Sequence, residues 1–328
     1  MRLTNPVYPE YFADPFCWRH EDTYYAVGTG RREGERGATG DTAIPLIKSH
    51  DLQHWAPVGN ALRVPPDENG GKFWAPEVAF HDGLFYLYYH PNGSGKGFRI
   101  RVATSLRPEG PYVDTGTPLT DVSQNPFAID AHPFQDDDGA WYLFYATDFL
   151  DFDDHTFRGT ALVVDKMRSM TELEGHPQVV MRAHWQWQCY ERGRSKAGQV
   201  ADWYTLEGPT VRKHAGRYYC FYSGGCFQND TYGVDYLVAD HVLGPWQEIG
   251  RARGPQLMRT VPGEVQGPGH HSLVSSPDGT EDFAVYHAWN PQMTARLMWV
   301  DPLLWTPQGP VIERFQHSIR HAAQIKEE

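Results

Sequence analysis

The sequence predicts an all-β protein, a five-bladed β-propeller formed as a single domain over residues 1–328. Three observations carry this. A hairpin pattern recurs five times, as CWRHEDTYYAVG at 17–28, AFHDGLFYLYY at 79–89, FQDDDGAWYLFY at 134–145, RKHAGRYYCFY at 212–222 and VSSPDGTEDFAVYH at 274–287. Each copy joins β-branched and aromatic runs through a turn of small or acidic residues, as a hairpin requires. The copies return at a period of roughly 55–80 residues, room for about four strands each, and a radial array of four-stranded sheets is a propeller. Finally, the far ends of the copies rhyme: DLQHWAPVG, EGPYVDTG, LGPWQEIG and LLWTPQGP. No linker-like segment interrupts the array, which gives blades at about 14–60, 73–118, 130–180, 206–250 and 270–312.

Eight or nine residues before each turn stand Asp14, Trp74, Asp130, Glu207 and His270. A purely structural position would repeat one apolar type, and a bare carboxylate at the head of a core strand is unusual. In a propeller the innermost strands start near the central axis. Three acids, a tryptophan and a histidine are therefore expected to converge on one mouth of the channel.

Taken in order, NPVYPEYFADPF leads through prolines into Asp14-Pro15, and the glycine-rich 30–43 loop returns to strand at Ile44. Those glycines do not follow a strand and open a helix, so no dinucleotide site is expected. The second blade opens at Phe73-Trp74-Ala75-Pro76-Glu77. In the third, Asp136-Asp137-Asp138-Gly139 lacks the spacing and closing glutamate of a calcium loop and reads as a hairpin turn. Residues 181–205 form the longest irregular insertion. They carry Trp185, Trp187, Tyr190, Trp203 and Tyr204, and suit a wall of the site or a subunit contact equally. The tail beyond 313 is charged and reads as a short helix or a frayed end.

Composition narrows the function. The chain has a net charge of −12, against nucleic acid and anionic membranes as partners, and 11 Trp and 18 Tyr, which serve blade packing and sugar stacking alike. Its four cysteines, Cys17, Cys189, Cys220 and Cys226, have no zinc spacing, and no disulfide framework is expected. The start MRLTNPVYPEYF has no apolar signal core, so the chain as given reads as cytoplasmic, with secretion as the alternative. Oligomeric state is not legible. No nucleophile elbow, P-loop or HExxH motif appears.

Three carboxylates at one mouth suit glycoside hydrolysis, where one acid protonates the leaving oxygen and a base acts on water or carbon. The run of motifs resembles glycoside hydrolase family 43 over nearly the whole chain. They are Ala13-Asp14-Pro15, AIPLIKSHDLQHW at 43–55, WAPEVAFHDGLFYLYY at 74–89, Ile129-Asp130, Glu207-Gly208-Pro209, Gly267-Pro268-Gly269-His270 and RLMWVDPLLW at 296–305. The resemblance implies a five-bladed propeller that cleaves arabinose- or xylose-containing oligosaccharides with inversion. By it, Asp14 is the general base, Asp130 the pKa modulator and Glu207 the general acid. His270 is the axial histidine, near a calcium or other ion, and the chemistry itself needs no cofactor. Arg296 reaches the sugar or the acids, and Trp74 lines the sugar subsite. Asp130 is followed by Ala-His-Pro where the family usually has Pro-Ser, which places His132 on this wall. The expected activity is an exo-acting α-L-arabinofuranosidase. A β-xylosidase or endo-arabinanase is the alternative on this fold, and a carbohydrate-binding or protein-scaffold propeller the alternative of another class.

Overall fold

The computed structural model describes residues 3–30, 41–92, 97–121, 123, 127–196, 198–249 and 254–316. Most of the 30–43 loop and the tail after 316 lie outside them. The chain forms the five blades, each an antiparallel sheet that starts at the axis and runs outward. Blade I is Ala13–His20, Thr23–Thr29, Thr42–Ser49 and Ala56–Arg63. Blade II is Lys72–His81, Leu84–Asn92, Arg101–Ser105 and Val113–Asp114. Blades III and IV begin with Ala128–Gln135 and Gln199–His214, and blade V with Gln266–Ser275.

Closure of the ring corrects the expected fifth blade. Its second and third strands are Asp282–Trp289 and Arg296–Thr306, but its outer partner is Tyr8–Tyr11 from the beginning of the chain. The Asn5 amide adds hydrogen bonds to Val300, donating to the carbonyl at 2.9 Å and accepting from the N–H at 2.8 Å. One blade therefore holds both ends of the repeat array.

Alternation along the strands puts one apolar face of each blade against its neighbour. Five buried clusters result, one per junction. Val27, Leu46 and Leu87 fill the first, and Tyr88, Val102 and Leu143 the second. Phe144, Leu206 and Cys220 fill the third, Phe221, Val234 and Tyr286 the fourth, and Phe12, Ala26 and Val285 the fifth. No disulfide joins the four cysteines. No helix of the described residues is long and apolar enough to cross a membrane.

The described residues of the 181–205 insertion form regular structure. After a short 3-10 turn at Gln186–Gln188, strand Cys189–Lys196 pairs with the front of the long Gln199–His214 strand. Tyr204 and Thr205 also pair in parallel with Gly159 and Thr160, which joins blades III and IV into one continuous sheet.

Candidate active site

Every innermost strand is interrupted by a bulge at the channel mouth. The pairing slips between Ala13 and Phe16, Trp74 and Glu77, Ile129 and His132, Glu207 and Thr210, and Gly269 and Ser272. In each gap one residue has positive φ: Asp14 (50°), Ala75 (40°), Asp130 (57°), Gly208 (55°) and His270 (44°). A bulge bends the strand and re-aims its side chains, and non-glycine residues seldom take this conformation. The five positions aligned in the sequence thus fall into two kinds. Asp14, Asp130 and His270 occupy the bulge itself. Trp74 and Glu207 stand one residue ahead of it, so the offset from the turn concealed a shift of one.

What holds the bulges is also repeated. The bulge N–H donates to a side chain on the second strand of the preceding blade: Asp14 to His287 Nδ1 (3.1 Å), Ala75 to Thr29 Oγ1 (3.0 Å), Asp130 to His90 Nδ1 (3.5 Å) and His270 to Ser223 Oγ (2.8 Å). Blade IV breaks the rule. There the Gly208 N–H donates to Asp130 Oδ2 at 3.0 Å, so one carboxylate fixes the backbone next to another. Glycine eases the left-handed φ at 208, and an added Cβ would lie 3.2 Å from the His270 ring, tight enough that the ring would have to give.

The three acids do converge. His270 Nδ1 lies 3.6 Å from Asp14 Oδ1 and 3.8 Å from Asp130 Oδ2. One donor atom each from Asp130, Glu207 and His270 fall within 4.8 Å of one another. Arg296 donates through Nη1 to Asp14 Oδ1 at 3.0 Å and through Nη2 to the Tyr11 hydroxyl at 2.9 Å. Its guanidinium also covers the Phe227 ring at 4.9 Å.

Their environments push the acids in opposite directions. Burial alone would raise Asp14, but Arg296, His270 and His287 outweigh it and hold its carboxyl well below the usual range. Burial raises Asp130 far above that range, and the charges of Glu207 and Asp14 add to the rise. Burial likewise pushes Glu207 up to about 7; the Asp14 charge adds to this, while a hydrogen bond from Tyr232 opposes it. Like charges this close titrate together, and Asp130 with Glu207 retains a proton where isolated carboxyls would have none. Burial keeps the imidazoles neutral, with His90 pushed down to about 3 and His287 to about 4.

These groups line a pocket of about 260 Å³ that also takes in Trp74, Phe98, Phe127, Lys72, Tyr190, Arg194 and Lys196. Tyr190, Arg194 and Lys196 come from the 189–196 strand, so the insertion is a wall of this site. His132 is not on that wall. It sits one layer deeper, where its Nδ1 meets Glu77 Oε2 at 2.7 Å and its Nε2 accepts the Val211 N–H at 3.0 Å. The bulge at Asp130 turns only that residue toward the pocket, and normal alternation then points His132 at the blade junction.

Two groups escaped the sequence reading. The Tyr232 hydroxyl donates to Glu207 Oε1 at 2.7 Å, and its ring stacks on His287 with centroids 5.7 Å apart. Gly269 makes room for it, since a Cβ there would meet Tyr232 Cε1 at 2.3 Å. The second-strand residues Thr29, His90, Ser223 and His287 were legible in principle, because each faces the residue just before a bulge position across its hairpin.

At His270, where a calcium or other ion is expected, the side chains alone supply fewer donors than calcium takes. Calcium takes six to eight oxygens, whereas this set offers one imidazole and two carboxylates that are already engaged with Gly208 and Tyr232.

The Glycosyl hydrolases family 43 model matches residues 3–311. A β-D-galactofuranosidase of Aspergillus niger is 27% identical over 94% of this chain and 84% of its own length. An extracellular exo-α-(1→5)-L-arabinofuranosidase of Streptomyces avermitilis is 26% identical over 88% of this chain, which spans 56% of that relative. The crystal structure of a thermostable family-43 glycoside hydrolase superposes with a TM-score of 0.79 at 30% identity, covering 95% of this chain and 96% of that one. With its five blades closed and its acids gathered at one mouth, this chain belongs to glycosyl hydrolases family 43 and is a glycoside hydrolase.

Proposed function

We propose that this enzyme removes single terminal α-L-arabinofuranosyl residues with inversion, using Asp14 as base, Glu207 as acid and Asp130 as modulator. The observation that carries the reading is the opposed proton affinity of Asp14 and Glu207 in one pocket. Hydrolysis with inversion needs one carboxylate that stays ionised to take a proton from water. It needs another carboxyl that is still protonated near neutrality to give a proton to the leaving oxygen. Asp14, held down by Arg296, suits the first task. Glu207, raised by burial, suits the second, and as it donates its proton the Tyr232 hydrogen bond steadies the carboxylate formed. Asp130 suits modulation, since its oxygen holds the Gly208 N–H beside the acid and the two carboxyls resist being ionised together.

The wall that the Cys189–Lys196 strand adds to the pocket favours a terminal sugar over an internal one. Preference for a furanose is supported by the relatives: β-D-galactofuranose and α-L-arabinofuranose share the configuration of the ring carbons and differ in the exocyclic arm. No step is assigned to a metal or cofactor. Trp74 and His270 are assigned to the bound sugar, Trp74 as a flat wall and His270 through the nitrogen between the acids. Kinetics on nitrophenyl α-L-arabinofuranoside, β-D-xyloside and β-D-galactofuranoside test the sugar, with the arabinofuranoside expected to lead. A lead by the xyloside, or rapid viscosity loss in arabinan, overturns the choice. Proton NMR of the first-formed sugar tests inversion, and a retained anomer would refute the roles of Asp14 and Glu207.

A further inference from the structure

The outer part of the pocket carries a charge pattern that pentose cleavage does not require. The chain is acidic overall, with net charge −12, yet Lys72, Arg194 and Lys196 all face this one pocket. They enter from two sides. Lys72 starts the inner strand of blade II, two residues before Trp74. Arg194 and Lys196 stand on the strand that walls the site between blades III and IV.

The three cations differ in how they are satisfied. Lys196 is paired with Asp148, and its ammonium lies 4.2 Å from the centroids of both Phe127 and Trp203. It is a structural charge. The Arg194 guanidinium lies over two aromatic rings, 4.7 Å from the Tyr190 centroid and 5.5 Å from that of Trp203. Its one ion pair, to Glu191, is long at 3.5 Å, and Glu191 is itself half in solvent. Among the described residues the Arg194 guanidinium makes no hydrogen bond, and Lys72 has neither a hydrogen bond nor an ion pair. Two cations, one pre-oriented by aromatic stacking, are thus left with their donors facing a sugar-sized space.

We infer that the subsite beyond the scissile bond binds a uronic acid, whose carboxylate is held by Arg194 and Lys72. This rests on the glycosidase reading above and names the aglycone it prefers. A guanidinium fork matches a planar carboxylate with two parallel hydrogen bonds, and an ammonium on the opposite side adds a point charge. Tyr190, beside Arg194, adds an aromatic surface to the same ring. A neutral oligosaccharide would leave Lys72 without a counter-charge and Arg194 with only its long pair to Glu191, and it is disfavoured for that reason.

A matched pair of substrates tests this: an oligosaccharide with a terminal arabinofuranosyl group on a uronic acid, and the same compound with the carboxyl reduced to the alcohol. The quantity read is the ratio of kcat/KM for acid over alcohol. In the unmodified enzyme it is expected to be at least about tenfold, and to fall as salt is raised. Arg194→Gln combined with Lys72→Met is expected to bring it near one, while Arg194→Lys, which keeps the charge, retains a measurable preference. A ratio near one in the unmodified enzyme overturns the inference, as does a ratio that the double variant leaves intact. Equal hydrolysis of both compounds sinks the uronate alone. No hydrolysis of either compound or of any nitrophenyl furanoside sinks the glycosidase reading, and this inference with it.

Discussion

Two arrangements of acid and histidine lie one above the other in the channel, and they do opposite things. In the upper ring Asp14, Asp130 and Glu207 surround His270, and the nearest contacts of the histidine Nδ1 to Asp14 and Asp130 are 3.6 and 3.8 Å, too long for good hydrogen bonds. In the lower ring Glu77 meets His132 at 2.7 Å, and the other nitrogen of that imidazole accepts the Val211 N–H. The residue types are the same and the repeat positions are two apart. What separates them is satisfaction. The lower pair closes its hydrogen bonds across blades II, III and IV, and similar cross-blade bonds run from Thr210 Oγ1 to the His271 carbonyl (2.7 Å) and from Ser272 Oγ to the Pro15 carbonyl (3.0 Å). The upper ring leaves donor and acceptor capacity facing a pocket. Function is marked by this unused capacity, and buried charge alone does not reveal it.

The largest expected effects come from breaking the upper ring. Glu207→Gln removes the proton donor and should lower kcat on natural glycosides by about 10²–10⁴, the usual worth of a positioned acid. With a nitrophenol leaving group, which needs little protonation, the loss should be far smaller. Asp14→Asn should damage both substrates alike, because the attacking water needs its base whatever leaves. Equal losses across leaving groups for the Glu207 variant would remove it from the acid role.

Breaking the lower ring should show the converse. His132→Ala leaves the Glu77 carboxyl and the Val211 N–H buried without partners, and severing such a pair costs about 3–5 kcal/mol. The expected result is a markedly lower Tm with kcat per folded molecule within about threefold of the parent. A variant that kept its Tm and lost turnover would place His132 in the chemistry after all.

The same contrast explains what could be read from the chain. The five hairpins and their heads were legible because strand heads near a core seldom hold Asp or Glu, so three acids at nearly one offset from the turns stood out. The assignment of His132 to the pocket wall failed because sequence spacing does not reveal which residue takes the left-handed bulge. A shift of one residue moves a side chain between the pocket and a blade junction. Tyr8–Tyr11 was hidden by its flanking prolines and by a partner nearly the whole chain away. The 181–205 hairpin was hidden by its polarity. Arg192 and Asp202 pair across it at 2.6 Å, and it lacks the apolar alternation that announces a strand. Tyr232 had no signal of its own, being one buried tyrosine among several.

Tyr232 supplies the subtlest test, because it touches the acid without carrying out a step. Its hydroxyl donates to Glu207 and favours the ionised form, so it works against the burial that raises this carboxyl to about 7. The proposed mechanism needs Glu207 protonated, so kcat/KM should fall as pH rises through about 7. The acid limb should lie well below the ordinary carboxylate range, where Asp14 finally takes up a proton. Tyr232→Phe keeps the ring against His287 and removes only the donor. Without that donor the ionised form loses support and the Glu207 pKa moves further up, which carries the alkaline limb of the profile to higher pH. Turnover at the optimum should drop by no more than the roughly ten- to hundredfold that one hydrogen bond to a charged group is worth. A merely structural tyrosine would lower Tm and leave both limbs in place. A shift of the alkaline limb to lower pH would mean that Tyr232 stabilises the protonated acid, and the donor and acceptor in this bond would have to be exchanged.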